Sequence, residues 1–99
     1  MHARSGRLQV SPERIDDIFG TMKQDQVALF HGQRGYRGFT GLADRENGAV
    51  MGISFWETED DLRAAEEVGR EARRRVMEAG GGQGEPVVER WEVVFDEMV

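Results

Sequence analysis

Residues 36–62 read YRGFTGLADRENGAVMGISFWETEDDL. Two strand-like runs, Tyr36–Asp44 and Ala49–Glu57, flank the pair Asn47-Gly48. Asn-Gly tolerates positive φ, so the runs form a tight hairpin. In the second run Met51, Ile53 and Phe55 point one way, and Val50, Gly52, Ser54 and Trp56 the other. Thr58 then caps a helix, with Glu59, Asp60 and Asp61 at its positive end. One large indole, Trp56, is thereby fixed where a sheet hands over to a helix.

Working outward, residues 3–10 predict a first strand in which Arg4, Gly6, Leu8 and Val10 share a face. Ser11 and Pro12 open a helix, Ser11 as a cap and Pro12 at its first position. Ile15, Ile18, Phe19, Met22, Gln26, Leu29 and Phe30 recur at helical spacing, and Gly32 and Gly35 end the run near His31. After Thr58, Leu62, Ala65, Val68, Gly69, Ala72, Val76 and Ala79 form a second helical stripe. Gly80, Gly81 and Gly82 stop it, and a glycine-rich loop runs to Gly84. A last strand follows over Val87–Asp96, with Val87, Trp91, Val93 and Phe95 on one face and Trp91 expected in the core.

The order is βαββαβ. Right-handed crossovers convert it into a ferredoxin-like α+β fold, a four-stranded antiparallel sheet with two helices on one face. Val88, Val94 and Val50 are expected on the uncovered face, which is therefore partly apolar. Two such faces packed together would form a homodimer. Ninety-nine residues suit one domain, 1–99.

Composition narrows the function. A net charge of −6 disfavours nucleic acid, whose phosphates need a positive surface. No apolar run reaches membrane-spanning length. Cysteine is absent, which removes disulfides and thiolate chemistry. The first residues lack the apolar segment of a signal peptide, so the expected location is cytoplasmic. The acidic run 59–61 reads as helix-start charge, with no His near it in sequence, and no metal site is expected.

The segments ARSGRLQVSPERID (3–16), GYRGFTGLADRENG (35–48), ISFWETEDDL (53–62) and PVVERWEVV (86–94) together resemble the antibiotic biosynthesis monooxygenase (ABM) family. The resemblance implies a dimeric α+β barrel. It also implies a cofactor-independent monooxygenase, one that oxidises a small aromatic or polyketide-like substrate with O₂. The anthrone-oxidising branch carries a Trp on the third strand, an Asn four residues before it, a Tyr six residues after it and an Arg along the second helix. Trp56 matches the Trp. Gly52 stands at the Asn position and Leu62 at the Tyr position. Arg73, Arg74 and Arg75 compete for the last, with Arg74 the nominal choice. The haem-degrading branch is matched at none of its three positions, which fall near Gly6, Ala65 and Arg75.

The candidate site therefore comprises His31 and Tyr36 as catalytic groups, with Trp56, Phe55 and Arg74 as substrate contacts. Each has a structural alternative. Trp56 can seal the sheet–helix junction instead of stacking on a ligand. His31 can be a favourable cation at a helix C-terminus, and Tyr36 a rim residue. A non-catalytic small-ligand-binding or structural dimeric domain of the same fold is the competing function.

Overall fold

The computed structural model describes residues 1–80 and 83–98. Strand β1 (His2–Gln9) is followed by a 3₁₀ turn (Pro12–Arg14), helix α1 (Ile15–Thr21), a π-helical turn (Met22–Gln26) and helix α2 (Val27–His31), which form one helical course. Strands β2 (Tyr36–Asp44) and β3 (Ala49–Trp56) come next. Helices α3 (Glu59–Ala64) and α4 (Glu66–Gly80) and strand β4 (Gln83–Glu92) complete the order. The four strands pair antiparallel as β2-β3-β1-β4, the ferredoxin-like arrangement.

Local chemistry accounts for the joints. Gly48 has φ +69, and its N–H donates to Asp44 O at 3.0 Å, closing the hairpin at the Asn-Gly pair. Thr58 Oγ1 accepts from Asp61 N–H at 3.0 Å, so it caps α3 as expected. Ser11 does not cap with its side chain; its carbonyl accepts from Arg14 N–H, which closes the 3₁₀ turn behind Pro12. The second helix breaks at Ala65 (φ −91, ψ 9), dividing the predicted single helix in two.

Strand β4 lies four residues earlier than expected at each end. The β1–β4 register slips between Arg7 and Gln9, opposite Val87 and Gln83, so Pro86 falls in an irregular stretch of an edge strand. An edge irregularity is where a strand tolerates a residue without an N–H. The expected glycine loop includes residues 81 and 82, outside the described residues.

The faces of the sheet differ from expectation. Val50 is 1% exposed and packs with Leu8, Val10, Ile15, Ile18, Met22 and Val76 beneath the helices. Val88 pairs with Gly6 on that same side, and Val94 lies beyond the end of β4. The uncovered face instead carries Met51, Ile53 and Phe55 with Leu42, Val87 and Trp91. Trp91 is 52% exposed and donates its indole N–H to Ser5 Oγ at 3.0 Å, so it is not core. Strict alternation reveals two faces, but with apolar groups on both it does not say which one the helices choose.

Candidate functional site

Cross-strand register places Gly41, Gly52 and Gly6 side by side on β2, β3 and β1, facing the helices. Three adjacent strands thus present no side chain at one level of the sheet. Their space is filled from above and beside. A Cβ at Gly41 would lie 2.7 Å from the Phe19 ring, one at Gly52 2.6 Å from the Phe39 ring, and one at Gly6 3.5 Å from Arg73 Cδ. On one side of this row sits the cluster around Leu8 and Val50; on the other, beyond Arg4 and Ser54, sits a second cluster of Phe30, Trp56, Leu62, Ala65 and Ala72. A hollow of about 30 Å³ remains between the two clusters, lined by Arg4, Gly6, Gln26, Phe39, Gly52, Ser54 and Arg73 among others. It has room for about one water.

A larger open groove of about 470 Å³ runs along α1, the π-helical turn and β2. Phe39 and Met22 belong to both spaces and form the wall between them. The π-helical turn contributes directly to the site, because its two buried residues, Met22 and Gln26, are the ones that line the hollow. Such turns recur at functional positions because they re-aim side chains within a continuous helix.

The polar side chains of the hollow are unusual for a core. Arg4 is only 3% exposed; its Nη2 donates to Leu62 O at 3.1 Å and to Glu66 Oε2 at 3.0 Å. Its Nε and Nη1 have no partner, and neither does Gln26 Oε1. Burial pulls the Arg4 guanidinium below its ordinary pKa, with Glu66 opposing that shift. Arg73, half-buried, is shifted the same way by burial and then by the like charge of Arg4. Ser54 Oγ accepts the Trp56 indole N–H at 2.9 Å.

The residues expected to form a site are dispersed. Trp56 is 0% exposed and packs edge-on against Phe30 (ring centroids 5.5 Å apart) and near Tyr36 (5.6 Å). With no exposed surface its indole has no face for a ligand; it seals the junction and braces Ser54. Tyr36 and His31 do meet, at 5.3 Å between ring centroids, but on the rim behind Trp56 and outside the lining of the hollow. Burial raises the Tyr36 phenol pKa. Phe55 lies on the uncovered face, opposite to Trp56, so the two share no pocket. Arg74 is exposed and bonds Glu71 and Glu78, while Arg73 is the one that turns inward. Arg74 and its neighbour Arg75 hold the Glu71 carboxyl down at about 2. Sequence reading missed Arg4 and Gln26 as site residues. The available signal was an arginine sharing a strand face with Leu8 and a glutamine inside an apolar helical stripe. Among the described residues, no group of three or more His, Cys, Asp or Glu side chains is placed to hold a metal ion.

Solved structures cover nearly the whole chain. The ActVA-Orf6 monooxygenase of Streptomyces coelicolor, in complex with nanaomycin D, aligns with a TM-score of 0.79 at 17% identity, over 99% of this chain and 91% of that one. A Bordetella bronchiseptica protein assigned as an antibiotic biosynthesis monooxygenase aligns at 0.72 and 23% identity, over 95% and 97%. A mutant of SnoaB, a cofactor-independent oxygenase of Streptomyces nogalater, aligns at 0.68 and 16%, over 96% and 94%. The protein therefore has the antibiotic biosynthesis monooxygenase fold. Uncharacterised Mycobacterium tuberculosis proteins of two strains are each 32% identical over 93 residues, 94% of this chain. The chain spans only 41% of the length of those relatives. No protein-family model matches it.

Proposed function

We propose that the protein is a cofactor-independent monooxygenase of the ABM type that seats a small aromatic or polyketide-like substrate over Gly6, Gly41 and Gly52. The observation that carries this reading is the glycine row itself, a flat stretch of sheet beneath the helices with no side chains of its own, over which only movable rings, Phe39 at Gly52 and Phe19 at Gly41, are laid. A flat ring needs such a floor, and the S. coelicolor structure of the same fold binds nanaomycin D. Substrate entering along the open groove swings Phe39 off Gly52 and joins groove to hollow. An activated CH₂ gives its proton to solvent base before it is seated, the carbanion adds O₂, the peroxide anion takes a proton back, and the hydroperoxide sheds water: R₂CH₂ + O₂ → R₂C=O + H₂O. The protein contributes orientation and a dry seat.

The test is O₂ uptake with a panel of anthrones and hydroquinones. The native protein is expected to exceed the uncatalysed rate, and Gly52→Val, which fills the floor, to lose at least tenfold. No uptake above background on any panel member overturns the reading. One observation favours the competing function, a non-catalytic small-ligand domain: no imidazole, carboxylate or phenol lines the hollow among the described residues. Ligand binding without O₂ uptake would select it.

We also propose that two copies pair through the uncovered sheet face. Leu42, Val87 and Trp91 there are 50%, 56% and 52% exposed, a concentration of apolar surface that water does not favour. Val87→Glu is expected to turn a dimer into a monomer in sedimentation equilibrium; a native monomer at all concentrations contradicts it. The absence of cysteine suits a reducing cytoplasm. Among the described residues no helix is long and apolar enough to cross a membrane.

A further inference from the structure

We propose that the hollow is an anion site, and that its ligand is a compact aromatic acid whose carboxylate is held by Arg4 and Arg73 and whose hydroxyl donates to Gln26 Oε1. The proposal rests on the hollow being the ligand site, but not on the ligand being oxidised.

Charge comes first. Arg4 and Arg73 both line the hollow, and both guanidiniums crowd one point of α4. A Cβ at Gly69 would lie 3.0 Å from Arg4 Nη1 and 3.2 Å from Arg73 Nη1. Glu66 is the carboxylate that pairs with Arg4, and it is drawn on by Arg90 as well, at 3.9 Å. Among the described residues Arg73 has no carboxylate within ion-pair distance. A guanidinium does not relieve this crowding by losing its proton. Two cations sharing one carboxylate in a buried space leave a positive balance, inside a chain whose overall charge is −6.

Unmet hydrogen bonds come second. Arg4 Nε and Nη1 are buried donors without acceptors, and Gln26 Oε1 is a buried acceptor without a donor. Buried polar groups normally find partners, and each one left alone is costly. The Arg4 and Gln26 side chains are 97% and 93% withdrawn from solvent and line the same hollow, from a central strand and from the π-helical turn. One ligand that brings an anionic acceptor and a neutral donor satisfies both.

Shape comes third. As it stands the hollow admits about one water, so a ring enters only with Phe39 swung off Gly52, which joins the hollow to the groove; Met22, Phe30 and Val76 over the glycine floor then give it an apolar seat. A neutral aromatic would fill that part and leave the arginines unsatisfied. An inorganic anion would pair the arginines and leave the apolar part empty.

The experiment is anaerobic isothermal titration calorimetry with salicylate, benzoate and salicyl alcohol, on the native protein, Arg73→Gln and Gln26→Leu. Salicylate is expected to bind the native protein at least tenfold more tightly than salicyl alcohol. Arg73→Gln is expected to collapse that gap, while Gln26→Leu leaves it but removes the preference of salicylate over benzoate. Circular dichroism of each variant establishes folding, and Arg4→Met replaces Arg73→Gln if the latter is unfolded. Equal affinity for acid and alcohol, a gap that survives loss of the arginine, or no salicylate binding at millimolar concentration overturns the proposal. Because O₂ is excluded, this failure is separate from that of the oxygenase reading. Turnover of neutral substrates without acid preference would refute the anion site alone.

Discussion

Trp56→Ala is expected to destabilise the protein by about 3–5 kcal/mol, the range for removing a fully buried large aromatic. A 99-residue domain has a total stability of about 5–15 kcal/mol, so this single change consumes a large share of it. The indole has no exposed surface and is walled in by Phe30, Tyr36, Leu62, Ala65 and Ala72, residues drawn from β2, three of the helical segments and the break between α3 and α4. Little of that wall can collapse into the cavity left behind, because Leu62 and Ala65 are tied to the capped helix start at Thr58. The urea midpoint should fall by at least about 1 M. Trp56→Phe keeps most of the volume but withdraws the donor to Ser54 Oγ, and about 1–2 kcal/mol is expected there. A loss below about 1 kcal/mol for Trp56→Ala, with ligand binding abolished, would instead make the indole a wall of the binding site.

The second large effect separates an ion pair held for folding from one held for binding. Glu66→Gln removes the carboxylate beside a guanidinium that is 3% exposed. Breaking a buried pair costs about 3–5 kcal/mol, and because the Glu66 side chain is 39% exposed the expected loss is about 2–3 kcal/mol. Arg4→Met should behave oppositely. It withdraws the charge together with its orphaned Nε and Nη1 and fills the same volume; it leaves the Leu62 carbonyl without its donor, and the Glu66 carboxylate, 39% exposed, turns to water and to Arg90. Neutral behaviour, or a gain of up to about 2 kcal/mol, is expected. Chemical denaturation of both variants checks the pair of signs. If Arg4→Met loses more than about 3 kcal/mol, Arg4 is a structural strut rather than a binding group.

These effects also mark what could be read from the chain. The hairpin was legible because Asn47-Gly48 admits few alternatives, and the start of α3 because Thr58 is followed by three acids. The element order then fixed the topology. The covered face was not legible, since Val50 and Met51 are equally apolar neighbours pointing to opposite sides; the contest is decided by tertiary packing. The glycine row was invisible for a related reason. Gly6, Gly41 and Gly52 lie far apart in sequence and become one feature only when two strand registers are known. Arg73 and Arg74 are adjacent on α4; the predicted stripe of Leu62, Ala65, Gly69, Ala72 and Val76 is the buried one, and Arg73, four residues after Gly69, borders it, while Arg74 points to solvent. The predicted β4 begins just after Pro86, whereas the β1–β4 ladder accommodates that proline within an irregular edge.

The central claim is that ligand chemistry takes place over the glycine row, between sheet and helices. The most direct measurement is a ¹⁵N-resolved NMR titration of the protein with salicylate. Progressive shifts are predicted at the amides of Gly6, Gly52 and Gly69 and at the side-chain amide of Gln26. Shifts confined to the opposite face, at Leu42, Met51, Val87 and Trp91, or no shifts at all, would contradict it.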